Sequence, residues 1–562
     1  MRKTSRLLGF GLAAVLAATV IGLPVRAADE PIDYVSLNKI RTEGLQNSQV
    51  MEIASWLTDV HGPRLSGSPN IQKAGEWAVA RMQEWGLTGV ALEPWIDKRG
   101  FDRGWSNDKF YLAATAPQAF PIHGTPRAWT PGTNGLITGQ AILITETEEA
   151  DLQKYVGKLK GAFVLPSAPP EVAAWWTPPA QRSTREELDR RETPVVPEFG
   201  LAAPGGRGGR GAAAAGGRGG RGGAPAFSRD DFFRQQGVAM IFTTNARGHG
   251  IYTIGGASRS ADPATLLPNV TIPAEEYGRI ARMFAKGINV TLEADIRNTY
   301  HPNPTMFNVV GEIRGTDKAD ELVMLGGHFD SWHASTGATD NAAGSAAMME
   351  AMRILKVTGV PLRRTVRIGL WNGEEQGLNG SRDYVDAHFA RRGTAPAAAA
   401  GGGGAGGRGG GRGGAQGPLE LKPAHAKFSS YFNIDNGTGA IRGVYLQSNP
   451  AVAPIFRAWM EPFRDIGMTH LAPGNTGGTD HQSFDGVGLP GFQFIQDGVE
   501  YNSLTHHYNL DSWERLQPTD MMRNATIAAA FALLAANRED LLPRKPLPTP
   551  GGGGRGRGGS DQ

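Results

Sequence analysis

The chain has 562 residues, 40% of them hydrophobic, which is enough for two folded units with appendages rather than one average domain. It contains no cysteine, which excludes disulfides and thiolate metal sites. The formal charge of +3 is misleading: four cations lie in the first 27 residues and eight arginines in glycine tracts, and without these twelve the remainder carries −9. An acidic body argues against a nucleic-acid-binding core.

In chain order, the opening "MRKTSR" is basic, "LLGFGLAAVLAATVIGL" is apolar, and "VRAAD" supplies small residues near Ala27 and Ala28. This is the pattern of a cleaved export signal over residues 1–27, too short and Gly-interrupted for a stable membrane anchor. The expected location is periplasmic or extracellular. Residues 28–127 begin the main body. Within them, "NSQVMEIASWLTDVHGPRLSGSPNIQKAGEWAVARMQEWGL" reads as two amphipathic helices around a Gly/Pro/Ser loop.

Over residues 128–298 the texture changes to short strand-like runs, "GQAILIT", "LKGAFVLPS", "VAMIFTT" and "INVTLEADI", with one helix at "PAEEYGRIARMFAKG". The expectation is a smaller inserted β-rich domain. From 299 to 545 strands and helices alternate, which predicts a layered α/β fold. Three Gly/Arg-rich tracts, 204–226, 395–417 and the tail within 546–562, have nothing to bury and read as surface loops and a disordered tail. An RNA-binding role for these tracts is the alternative, disfavoured by the acidic body.

The chemistry concentrates after residue 320. "ELVMLGGHFDSW" reads as a strand that delivers His328 and Asp330 to its C-terminal end on one face. That edge is where open α/β sheets place their sites. A metal-binding imidazole usually has its second nitrogen held by a carboxylate or carbonyl, a part Asp330 can play; a hydrogen-bonded pair without metal is equally allowed. Asp340 follows twelve residues after His328, before the apolar stripe of Ala343, Ala347, Met348, Ala351 and Leu355. Locally it reads best as a helix N-cap, though it can also point into the crevice.

"TVRIGLWNGEEQGLNGS" ends a strand in Glu374 and Glu375, which are either two solvated charges or a metal ligand beside a proton carrier. Trp371 just before them is placed to exclude water. "YFNIDNGTG" puts Asp435 at another strand end, and "NSLTHHYNLDSWERL" offers His506, His507 and Asp511. Asp480 and His481 in "GGTDHQSF" either cap a helix or line the crevice. Nitrogen and oxygen donors without thiolate suit a catalytic zinc site, and five ligands suit two ions sharing a carboxylate about 3.5–4 Å apart.

With "GGHFDSW" and Asp340, "NGEEQGLNGS" and "HHYNLDS" in view, the sequence resembles the zinc-dependent exopeptidases that include aminopeptidase Y and bacterial leucyl aminopeptidase. It is most similar to the carboxypeptidase Q branch, from "HGPRLSGSP" to "HHYNLDSWERLQP". The resemblance implies a three-layer α/β/α domain with a mostly parallel central sheet, interrupted by a protease-associated-like domain. It implies two Zn2+ ions: His328 and Asp435 on one, Glu375 and His507 on the other, Asp340 bridging. Glu374 would be the general base, Asp330 would orient His328, and His507 rather than His506 is the ligand because it stands four residues before Asp511. The implied activity is amino- or dipeptidase hydrolysis of short peptides, with no nucleic-acid partner; a homodimer is left possible. An amidohydrolase acting on an N-acyl substrate, or an inactive binding module of the same fold, are the alternatives.

Overall fold

The computed structural model describes residues 30–192, 227–393 and 417–548. The expected signal segment, nearly all of the Gly/Arg tracts and most of the tail lie outside the described residues. Among the described residues no helix is long and apolar enough to cross a membrane.

The main body is built on an eight-stranded mixed sheet of β1 (Thr88–Pro94), β2 (Phe307–Ile313), β3 (Lys318–His328), β4 (Arg364–Trp371), β5 (Phe428–Asn433), β6 (Ile441–Tyr445), β7 (His470–Ala472) and β8 (Gly491–Gln496). Their spatial order is β1-β2-β4-β3-β5-β8-β6-β7. The central strands β4, β3, β5 and β8 run parallel, whereas β1, β2 and β6 join antiparallel.

Parallel strands are covered on both faces, which is why "LVML" reads as an unbroken apolar run rather than an alternation. Val323 and Leu325 face one core, with the helices Ala343–Thr358 and Pro518–Asn537. Met324 faces the other, with Trp371, Tyr384, Tyr431 and Phe484. The result is a three-layer α/β/α arrangement. Trp371 is fully buried in this second core and donates its indole N–H to Tyr431 Oη at 2.7 Å, so it packs beneath the site and does not shield it.

Two glycines close β3 because the backbone is crowded there. A Cβ on Gly326 would lie 2.3 Å from the Gly369 carbonyl oxygen, and one on Gly327 would lie 2.9 Å from that of Ile434. Neighbouring strand ends therefore approach closely, and the loops after them share one crevice.

A second eight-stranded sheet takes strands from Leu112–Ala116 to Thr291–Ala294 and has its own core of Phe163, Phe242, Tyr277, Ile280 and Leu292. The four strand runs and the helix read from the sequence all lie here, the helix as Ala274–Phe284. The sheet also takes the short strands Leu112–Ala116, Phe120–Pro121 and Thr125–Pro126, which precede residue 128. Their Ala/Thr/Pro composition carries little strand signal, which is why the sequence reading started the insert later.

Candidate metal centre

The predicted residues converge above the C-terminal ends of the parallel strands. His328, the last residue of β3, is 1% exposed. Its Nε2 lies 3.1 Å from Asp340 Oδ1 and 3.2 Å from Asp435 Oδ1. Asp435 arrives two residues beyond β5. On the opposite side of Asp340, His507 Nε2 lies 3.5 Å from Oδ2 and 2.8 Å from Glu375 Oε2. Asp340 thus stands between two groups of donors that are far apart in sequence.

His328 Nδ1 meets the backbone carbonyl of Asp330 at 2.9 Å, whereas the Asp330 carboxylate is 3.6 Å away. Asp330 therefore orients the ring through its main chain. Its carboxylate accepts instead from the Glu374 amide at 3.1 Å and from Ser66 Oγ at 2.9 Å, tying the Glu-Glu turn to the N-terminal loop. The helix cap belongs to Asn341, not Asp340: Asn341 Oδ1 accepts from the Gly344 amide at 2.9 Å. Asp340 and Asn341 both have non-helical backbone angles, which keeps Asp340 out of the helix and leaves its side chain to the crevice.

Asp511 does not touch the His507 ring. Its two oxygens accept from the amides of Thr339 and Asp340, at 2.7 and 3.1 Å, and so hold the loop that carries Asp340. Burial and the neighbouring Asp340 push its carboxyl up to about 7. Asp480 is completely buried beside Ser381, and burial pushes it up to about 7 as well. It makes no side-chain cap for the short helix His481–Asp485. His481 points away, toward Gln447 and the Thr476 carbonyl.

Glu374 and Glu375 are not solvated surface charges. The Glu375 side chain is 1% exposed, and burial raises both carboxyls well above the ordinary glutamate range against the pull of His328. His328 is itself raised, since Asp435, Asp330 and Asp340 outweigh the burial that opposes its charge. Asp340 is held below the aspartate range; its bond from His328 and the nearby His507 and His506 overcome its burial.

Crowding this many acids without a cation is unfavourable. Two buried oxygens, Asp340 Oδ2 and Glu375 Oε1, have no hydrogen-bond partner among the described residues, which leaves them available to an ion. The donor set of imidazole nitrogens and carboxylate oxygens fits zinc. Within ligand spacing, His328, Asp340 and Asp435 form one group, and Asp340, His506 and His507 another. His506 is therefore also near, but its ring stacks on Tyr501 at 4.7 Å, while His507 is the one paired with Glu375.

Sequence reasoning missed the supports of this crevice. Arg64 is wholly buried and donates to four carbonyls, those of Leu57, Phe329, Thr336 and Gly337, at 2.7–3.0 Å. Tyr501 Oη donates to Asp340 Oδ1 at 3.2 Å. The Gly/Pro/Ser loop "HGPRLSGSP" gives no local sign that its arginine is buried, and the segment around Tyr501 gives none of that tyrosine's role. Beside His507 and Glu375 a pocket opens, walled by Trp332, Ser335, Thr505 and Tyr508.

The chain is similar to known peptidases. Residues 308–532 match the family model described as Peptidase family M28. Human carboxypeptidase Q is 23% identical over 510 residues, covering 89% of this chain and 88% of the relative. Leucine aminopeptidase 2 of Trichophyton equinum is 32% identical over a shorter 151-residue stretch, 27% of this chain and 28% of the relative. Among solved structures, a Peptidase M28 precursor from Shewanella amazonensis superposes with a TM-score of 0.60 at 22% identity, covering 92% of this chain and all of the other.

Proposed function

We propose that the chain, whose residues 308–532 match the model of peptidase family M28, is an exported zinc-dependent exopeptidase cleaving short peptides as an aminopeptidase or dipeptidase. The observation that carries the reading is Asp340 standing between His328/Asp435 and Glu375/His507, with two buried oxygens that have no hydrogen-bond partner among the described residues. Carboxypeptidase Q and leucine aminopeptidase 2 are the relatives whose activities agree with it.

Two zinc ions fit the donors: His328 and Asp435 would hold one, Glu375 and His507 the other, and Asp340 both. When bound, zinc lowers the pKa of water to about 7 and polarises a carbonyl. The remaining work falls to the chain. Glu374 is fixed through its own amide on Asp330, next to the ligand Glu375, where a carboxylate can take a proton from the attacking water and return it to the departing amine. Burial raises its affinity for that proton. The Asp330 carbonyl keeps the His328 Nδ1 protonated and its Nε2 free as a donor. Trp332 and Tyr508 flank the pocket where a substrate side chain would lie, limiting water there. The second sheet, in this reading, is the protease-associated-like insert.

The test is hydrolysis of a panel of amino-acid anilides, dipeptides and N-acylated amines, with chelator and with zinc restored. Cleavage of the first two, lost with chelator and regained with zinc, is the expected result. Cleavage of acylated amines alone would transfer the assignment to an amidohydrolase, and a zinc-free inert protein would leave a binding module.

A further inference from the structure

The two halves of the metal centre are supported differently, and the support of the second comes in part from loops of the unit built on the second sheet. His507 lies in the left-handed region at φ +58, on a loop rather than a strand end, and its side chain is 40% exposed. Its own segment contributes the turn Tyr501–Thr505 and the Tyr508 amide on the Thr505 carbonyl at 3.0 Å, and Thr339 Oγ1 of the main body donates to Thr505 Oγ1 at 2.7 Å. Two separate stretches of the second unit clamp the segment from Asp497 to Asn509.

The first stretch is Asn245–Ile254, which follows the strand Met240–Thr243. The Ile254 amide donates to the His507 carbonyl at 3.0 Å, and Thr253 forms a β-bridge with Tyr508. Tyr252 N donates to Asn509 Oδ1 at 2.9 Å, and Asn509 Nδ2 donates to the Gly250 carbonyl at 3.1 Å. The second stretch is 178–183. Gln181 N donates to the Val499 carbonyl at 2.9 Å, Ser503 Oγ donates to that of Pro179 at 2.7 Å, and Arg182 pairs with Asp497 at 3.1 Å.

One side chain joins both ends of the histidine loop. Arg247 Nη2 donates to the Asn502 carbonyl, before the histidines, while its guanidinium lies 4.8 Å from the centre of the Tyr508 ring, after them. A planar guanidinium suits this double task, binding a carbonyl along its edge and a ring on its face. Tyr508 also walls the pocket beside Glu375. The second unit is therefore joined to the substrate-facing side of the site.

We propose that Arg247 is a positioning residue for the Glu375/His507 half of the metal centre, so that the second sheet unit completes the active site. This rests on the di-zinc reading. His328 and Asp435 sit on strand ends of the main sheet and need no such brace, so the effect falls on one ion only.

The experiment is titration of zinc into the chelator-stripped full-length protein by chelator competition, with hydrogen exchange followed across residues 245–254 and 497–509. Wild type should bind two ions. Arg247→Ala should weaken one of them about 10–100-fold, the scale for lost outer support of a ligand, and leave the other unchanged. Exchange at Asn509 and Ile254 should speed up with it. Arg247→Lys, which keeps the cation but not the fork, should recover part of both. Arg279→Ala removes a different guanidinium–ring contact of the second unit, 3.7 Å from Phe120, and should change neither. Two unchanged affinities in Arg247→Ala, or equal weakening in Arg279→Ala, would overturn the proposal. A wild type that binds no zinc would refute the di-zinc reading, and unaltered exchange in Arg247→Ala would then refute the brace separately.

Discussion

The His328 and His507 sides of Asp340 present similar donors on very different foundations. His328 terminates a central strand, is almost wholly buried, and meets Asp435 from the neighbouring parallel strand. His507 hangs on a partly exposed loop at positive φ and is fastened by main-chain bonds from the Asn245–Ile254 loop of the second unit. Strand ends place ligands through ladder register, which a single substitution hardly moves. A loop ligand depends on each clamp. The His328 half should therefore be the robust, tight site and the His507 half the adjustable one, nearer the pocket.

Removing the shared residue is the strongest way to break this contrast. Asp340→Ala should abolish hydrolysis and reduce zinc content in both halves, as elemental analysis would report; retention of two ions would remove the bridging assignment. Glu374→Gln should lower kcat by about 10²–10⁴-fold while zinc content stays at the wild-type level, since this carboxylate is assigned to the proton and not to the ion. Asp435→Ala and His507→Ala should each lose one ion, and identical residual affinities in the two variants would erase the distinction between halves.

The foundation itself is tested by stability. Arg64→Leu leaves four carbonyls without their donor, and a cost of about 3 kcal/mol or more in denaturant unfolding is expected. A pH-dependent effect concerns Asp480. Because burial pushes its carboxyl up to about 7, the folded protein keeps a proton that the unfolded chain has already released near pH 4. Wild type is thus penalised progressively as pH rises across that window, and Asp480→Asn is not. The melting temperature of zinc-free Asp480→Asn relative to wild type should climb from pH 4 to 7; a constant difference would place the Asp480 pKa outside it.

Much of the His328 half was legible beforehand because its cues are local. An apolar run ending in Gly-Gly-His reads as a buried strand that delivers an imidazole to its tip, while "NGEE", on the other half, reads locally as two solvated charges or as a ligand beside a proton carrier. Where local cues misled, a competing local role was the reason. Asp340 had the position of an N-cap, but its neighbour Asn341 performs that task. Asp330 had the right spacing to hold His328 by its carboxylate, yet the carbonyl is the closer partner. Arg64, Tyr501 and Arg247 act through partners hundreds of residues away or on loops without periodicity, so no window of sequence exposes them.

The order of apolar strands and helices, the exclusion of thiolate chemistry and the identity of the acids and imidazoles are properties of the sequence alone, because they follow from side-chain chemistry and spacing along the backbone. Which imidazole faces which carboxylate, and that a loop of the second unit steadies one of them, was decided only on folding. Those contacts join segments whose separation in sequence carries no information about their distance in space, and only the closing of both cores brings them together.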